Sequence, residues 1–145
     1  MRVLLTGASS SPGFKTLFEL STRGYQVYAI YNTHSIMIDL SNITPIKLDL
    51  TQFDEAVKIF NEVKPDIVIH MAALGDVNLC EKDKKLAWRV NVDSTKLLVK
   101  LANKHNLVFL YLSTDYVFDG EKGNYREEDI PNPINFYGLT KLVAE

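Results

Sequence analysis

The feature that most constrains this chain is a regular alternation of short apolar runs with segments of helical periodicity. Val3, Leu4 and Leu5 form the first run, and residues 6–13 are a turn of small residues. Phe14, Leu17 and Phe18 then recur at helical spacing, which predicts a helix ended by Arg23 and Gly24. Residues 25–31, with Val27, Tyr28 and Ile30, read as a second strand, and 32–42 as irregular. Residues 46–48 predict a third strand. Thr51 reads as the N-cap of a helix with Asp54 in its first turn and Phe53, Ala56, Val57 and Phe60 on one face; Pro65 closes it. Residues 67–69 form a continuous apolar strand of the kind covered on both faces. Leu86, Val90, Leu97, Leu98 and Leu101 make a long helical stripe, 107–112 a fifth strand, and 134–145 a last helix. Such alternation predicts right-handed βαβ units on a parallel sheet: an α/β, Rossmann-like, three-layer doubly wound fold.

The 145 residues correspond to one domain, residues 1–145. A net charge of −2, with no basic run longer than two, gives no footprint for nucleic acid or an anionic membrane. Cys80 is the only cysteine, which excludes a disulfide framework and any Cys-cluster metal site. No apolar run approaches the ~18 residues of a membrane span. The apolar start at Val3 stops at Thr6 and Gly7, short of a signal h-region, so a cytoplasmic protein is expected.

Ligands of doubly wound sheets bind outside the carboxyl ends of the strands. The first such segment is Thr6-Gly7-Ala8-Ser9-Ser10-Ser11-Pro12-Gly13. Small residues there let backbone amides at a helix start approach a pyrophosphate. Gly7 suits a tight turn with positive φ, and Gly13 allows close packing of the helix. Two residues work against the cradle. Ser10 stands where a glycine gives the closest approach, and Pro12 has no N–H to donate. A lost charge-assisted hydrogen bond is worth roughly 1.5–3 kcal/mol, tenfold or more in affinity, unless Ser9, Ser10 or Ser11 hydroxyls replace it. After the second strand stand Asn32, Thr33 and His34, with no carboxylate to repel a 2′-phosphate and no arginine to clamp one. NADP(H) is therefore admitted, with NAD(H) as the other option. Asp49, followed by Leu50, can accept from an adenine amino group or can simply favour the following helix start.

Tyr137 and Lys141 are four residues apart in the last helix and so share a face. An ammonium beside a phenol favours its ionised form and makes it a better acid. Thr114, at the end of the fifth strand, supplies a hydroxyl able to polarise a carbonyl.

Together, the glycine turn, His70-Met71-Ala72-Ala73, Asn91, Thr114, and Tyr137 with Lys141 resemble the extended short-chain dehydrogenase/reductase family. Ser113-Thr114-Asp115-Tyr116-Val117-Phe118-Asp119-Gly120, Asp76-Val77 with Cys80-Glu81, and Tyr137-Gly138-Leu139-Thr140-Lys141-Leu142 are similar to the dTDP-4-dehydrorhamnose reductases. The β subunit of methionine adenosyltransferase carries similar motifs. The resemblance implies reduction of a keto group on a nucleotide-linked deoxysugar by NAD(P)H. Tyr137 is then the proton donor, Lys141 the ribose ligand and modulator of Tyr137, and Thr114 the carbonyl ligand. Ala72 and Ala73 line the cofactor, and Asn91 stabilises the helix–sheet junction. Gly75 and Asn78 depart from the family pattern, as do Ser10 and Pro12. The family continues for more than a hundred residues beyond Glu145, so a C-terminally truncated member or a fragment is expected. Self-association, as a homodimer or through an apolar face of the fifth strand, follows from that. The alternative readings are a non-catalytic nucleotide-binding or regulatory subunit and an inactive remnant.

Overall fold

The computed structural model describes residues 1–145. The chain divides into two compact units, Met1–Ala72 with Leu97–Leu112, and Ala73–Lys96 with Ser113–Glu145.

The first unit holds the sheet. Strands β1 (Arg2–Thr6), β2 (Gln26–Tyr31), β3 (Ile43–Lys47), β4 (Ile67–His70) and β5 (Val108–Tyr111) pair in the order β3-β2-β1-β4-β5. Every pairing is parallel, with Val3 opposite both Val27 and Ile67, and Ile67 opposite Val108. Order reverses at β1, which creates a crevice at the carboxyl ends of β1 and β4. Helix α1 (Ser11–Thr22) covers one face and α2 (Phe53–Val63) the other. Val3, Leu5, Val27, Ala29, Ile43 and Ile69 pack with Leu17 on the α1 side. Leu4, Ile30 and Val68 pack with Ala56, Phe60, Val63 and Leu98 on the α2 side. This alternation of faces is the period of two expected of strands buried on both sides.

Three local expectations need correction. Phe14 and Phe18 lie on the outer side of α1, about half exposed, and the buried stripe is Gly13, Leu17 and Ser21. The N-cap of α2 is Gln52, which makes no side-chain cap bond; the Thr51 hydroxyl is instead turned back onto Asp49. β3 begins earlier than the apolar run suggests and includes Pro45, which an edge strand tolerates because its missing N–H faces away from the ladder. β5 forms the other edge, with Val108 62% and Leu110 49% exposed on the α1 side.

The second unit contains α3 (Val77–Lys82), α4 (Lys84–Trp88), a π-helical turn (Arg89–Asp93), a 3₁₀ turn (Asp115–Val117) and α6 (Phe136–Ala144). Helix α5 (Ser94–Lys104) starts within it, and its residues from Leu97 onward belong to the first unit. Asp76 and Asp83 cap α3 and α4 through the amides of Leu79 (3.0 Å) and Leu86 (2.9 Å). The long helix expected from the Leu86–Leu101 stripe runs unbroken through α4, the π turn and α5, with the π turn as a bulge within it. The π turn leaves carbonyls without their usual amide partners. The Ser94 hydroxyl bonds the Val90 carbonyl, and the Thr95 hydroxyl bonds that of Asn91 at 2.7 Å. No helix is long and apolar enough to cross a membrane.

Candidate functional site

In the first unit the glycine turn leaves β1 with Gly7 at φ +68°. A Cβ on Gly7 would stand 2.7 Å from the Ala72 nitrogen, so the backbone after β4 presses directly on the turn. A Cβ on Gly13 would stand 2.1 Å from the Gly7 carbonyl oxygen, so Gly13 closes the turn on itself. Ser10 is the N-cap of α1. Its hydroxyl donates to the Gly7 carbonyl (2.8 Å) and accepts the Gly13 amide (3.1 Å). The Phe14 amide bonds the Ser10 carbonyl at 2.8 Å, and Pro12 has no amide hydrogen. Ser11 therefore holds the one amide of that first turn not engaged within the chain. The Ser10 hydroxyl is spent inside the turn, whose other two serines are the half-buried Ser9 and the exposed Ser11.

Thr6 and His70, at the ends of the two central strands, hold this region. The Thr6 hydroxyl accepts the amides of Met71 and Ala72, both at 3.2 Å. With its lone pairs occupied, it donates to His70 Nδ1 at 2.6 Å, and both side chains are fully buried. His70 is thus a satisfied core histidine. Asn32, Thr33 and His34 are exposed past the end of β2. One Asp49 oxygen accepts both the amide (2.9 Å) and the hydroxyl (2.8 Å) of Thr51, while Leu50 is buried in the α2-side core.

In the second unit the Thr114 hydroxyl caps the 3₁₀ turn, accepting the Tyr116 amide and donating to Asp115 Oδ1, both at 3.3 Å. The Tyr116 ring meets that of Tyr137 edge-to-face with centroids 5.9 Å apart. Asn135 caps α6 on the Gly138 amide at 2.7 Å. A Cβ on Gly138 would stand 2.1 Å from the Tyr116 carbonyl oxygen, so only a glycine lets α6 sit this close. Burial pushes the Tyr137 phenol above its ordinary range, with the polar Thr114 side chain pulling the other way. The expected depression of Tyr137 by Lys141 is not what sets its ionisation. Lys141 is itself buried, and burial lowers its ammonium to about 8 against an opposing pull from Glu145. Asn91 lies in the π turn, 1% exposed, with its side chain on Leu74 and Thr140. Ala73 is exposed. A cleft of about 530 Å³ is lined by Ser113, Thr114, Asp115, Arg126, Glu127 and Glu145 among others. The loop bounding it is tied by Asp119, which accepts from the Tyr125 hydroxyl, the Asn132 amide (3.0 Å) and the Glu121 backbone (3.1 Å); these bonds hold its carboxyl down at about 2. Gly138 and Thr140 were readable only as letters of a motif; their structural parts depend on neighbours distant in sequence.

The family model described as RmlD substrate binding domain matches residues 1–145. The chain belongs to this family. Its membership confirms the likeness to extended short-chain dehydrogenases/reductases carried by the motifs. A dTDP-4-dehydrorhamnose reductase of Aggregatibacter actinomycetemcomitans is 36% identical over 146 residues, covering 99% of this chain and 45% of that protein. The methionine adenosyltransferase 2 subunit beta of Bos taurus is 34% identical over 99% of this chain and 41% of its own length. Among solved structures, a hypothetical dTDP-4-dehydrorhamnose reductase from Sulfolobus tokodaii superposes with a TM-score of 0.89 at 42% identity, over 99% of this chain and 50% of that one. A dTDP-4-dehydrorhamnose reductase from Bacillus anthracis, in complex with NADP, has a TM-score of 0.80 at 31% identity, over 99% and 47%. The chain thus spans half the length of these relatives or less.

Proposed function

We propose that residues 1–145 form an NAD(P)-binding domain of a reductase acting on a keto group of a nucleotide-linked deoxysugar, with NADP(H) preferred. The observation that carries this reading is the meeting of α6 with the turn that Thr114 caps: the Tyr137 ring stands edge-to-face on Tyr116, and the buried Lys141 lies one turn along α6 from Tyr137. Its support from relatives is the reductase of Aggregatibacter and the NADP complex of the Bacillus enzyme.

The glycine turn fits a dinucleotide pyrophosphate: Gly7 and Gly13 keep it free of Cβ atoms, and the Ser11 amide is left to donate. Ser9, Ser11, Ala72 and Ala73 line the cofactor, Asn32, Thr33 and His34 meet its adenosine ribose, and Asp49 with Leu50 its adenine side. A bound nicotinamide supplies the hydride. The chain's own residues manage the proton. Thr114 donates to the substrate carbonyl oxygen and Tyr137 protonates it. A phenol held above its usual range is protonated at neutral pH, which is the state a proton donor requires. Lys141, in the last helix with Tyr137, holds a ribose hydroxyl.

The test combines binding with turnover. NADPH at 100 times Kd stabilises by ~2.7 kcal/mol, which raises Tm by roughly 5–10 °C for a chain of this size. Tyr137→Phe is expected to keep that shift and abolish reduction of dTDP-4-dehydrorhamnose. Undiminished turnover in Tyr137→Phe refutes the assignment. A second reading, a non-catalytic nucleotide-binding or regulatory subunit like that of methionine adenosyltransferase, is favoured by the Gly13 amide tied to the Ser10 hydroxyl and the amide missing at Pro12; it predicts no reduction of dTDP-4-dehydrorhamnose by the wild-type chain.

A further inference from the structure

We propose that Thr140 is a positioning residue for Tyr137, the last link of a buried hydrogen-bond chain running from the Leu74 backbone through the Asn91 amide to the Tyr137 carbonyl. The inference rests on the reading of Tyr137 as the proton donor. The direction of the chain is fixed by valence. Asn91 Oδ1 accepts the Leu74 amide at 2.7 Å, which settles which end of the side-chain amide is oxygen. Asn91 Nδ2 then donates one hydrogen to the Leu74 carbonyl (3.2 Å) and the other to Thr140 Oγ1 (2.9 Å). Thr140, accepting from Asn91, sends its own hydrogen to the Tyr137 carbonyl at 2.7 Å. Thr140 is 0% and Asn91 1% exposed, so no water competes for these bonds.

The rest of the first turn of α6 is gripped elsewhere. Glu81 accepts the Phe136 amide at 2.7 Å, Asn135 accepts that of Gly138, and Gly138 abuts the Tyr116 carbonyl. Asn135 holds the amide end of the Tyr137–Gly138 peptide unit, and the Thr140 hydroxyl is the side chain on its carbonyl end. The Thr140 bond thereby fixes the point from which the Tyr137 ring meets that of Tyr116, in the turn that Thr114 caps. Asn91 is in turn set by the π turn, whose carbonyls Ser94 and Thr95 occupy. The loop at Leu74, the π turn and α6 are thus joined through one hydroxyl.

Thr140→Val keeps the shape and removes that hydroxyl; Thr140→Ser keeps the hydroxyl. Tyrosines labelled with ¹³C at Cζ report ring environment and ionisation, and Tyr137→Phe assigns the Tyr137 signal. In Thr140→Val the Tyr137 resonance is expected to shift and its titration midpoint to move by about half a pH unit or more, a roughly threefold change in ionisation constant. Thr140→Ser is expected to restore both. A folded Thr140→Val with a lowered Tm but an unmoved Tyr137 resonance and midpoint overturns the proposal. If Thr140→Val does not fold, Thr140→Ala, which leaves room for water to partner the Asn91 amide, is judged by the same two outcomes. The readout needs neither cofactor nor substrate, so its failure is distinct from loss of the reductase reading, which turns on Tyr137→Phe turnover.

Discussion

Lys141→Met gives a pH-dependent stability difference whose sign and size follow from burial. Lys141 is 3% exposed, and its ammonium is lowered from 10.5 to about 8. That is ~2.5 units, and at ~1.36 kcal/mol per unit it amounts to about 3 kcal/mol. The folded chain binds this proton more weakly than the unfolded chain. Below pH 8 both states are protonated, and folding carries the full cost of a buried charge. Between pH 8 and 10.5 the unfolded state holds more protons, so wild-type stability gains from this group as pH rises. Methionine keeps the stem and removes the charge. Lys141→Met is therefore expected to be more stable by about 3 kcal/mol at pH 7, with the gap closing toward pH 10. Cys80 and Tyr137 have raised values and pull the other way, costing stability as pH climbs through their range. Both proteins share those groups, so they cancel in the difference. Urea unfolding at pH 7, 8, 9 and 10 measures the gap. A gap constant across that series, or a variant less stable at pH 7 with the wild-type pH slope, refutes the argument.

The order of strands and helices was legible because each apolar run is short and bounded by turn chemistry. What was not legible depended on contacts between distant residues. The spacing of Phe14, Leu17 and Phe18 gave a helix correctly but not its buried face. That face is set by Gly13 pressing on Gly7 and by Ser21 reaching Asn42 at 2.8 Å, neither of which an apolar pattern reports. Thr51 has the chemistry of a cap, yet Asp49 two residues earlier captures its hydroxyl first. The Leu86–Leu101 stripe has helical period throughout. The π turn inside it is written in Ser94 and Thr95, whose hydroxyls can serve orphaned carbonyls. At the site, Thr114, Tyr137 and Lys141 could be named from spacing and motif. Their electrostatics could not, because burial of Tyr137 and Lys141 is a property of the folded second unit. Gly138 and Thr140 show the same limit: one is required by a carbonyl 22 residues away in sequence, Tyr116, and the other by Asn91.

Two further outcomes follow from the turn and helix contacts. Gly138→Ala sets a Cβ 2.1 Å from the Tyr116 carbonyl, and overpacking of this kind costs ~1–3 kcal/mol. Gly75→Ala meets nothing within 4 Å and serves as the control; equal melting temperatures for the two variants would contradict the close approach of α6. Ser10→Gly combined with Pro12→Ala frees the Gly13 amide from its cap and gives residue 12 an amide of its own. Each recovered donor to a pyrophosphate is worth roughly 1.5–3 kcal/mol, while a glycine N-cap in place of serine costs only a few tenths. NADPH binding measured by calorimetry is therefore expected to tighten tenfold or more. An unchanged Kd would mean that the serine hydroxyls already supply what the amides do not, and that the turn is not where this chain loses affinity.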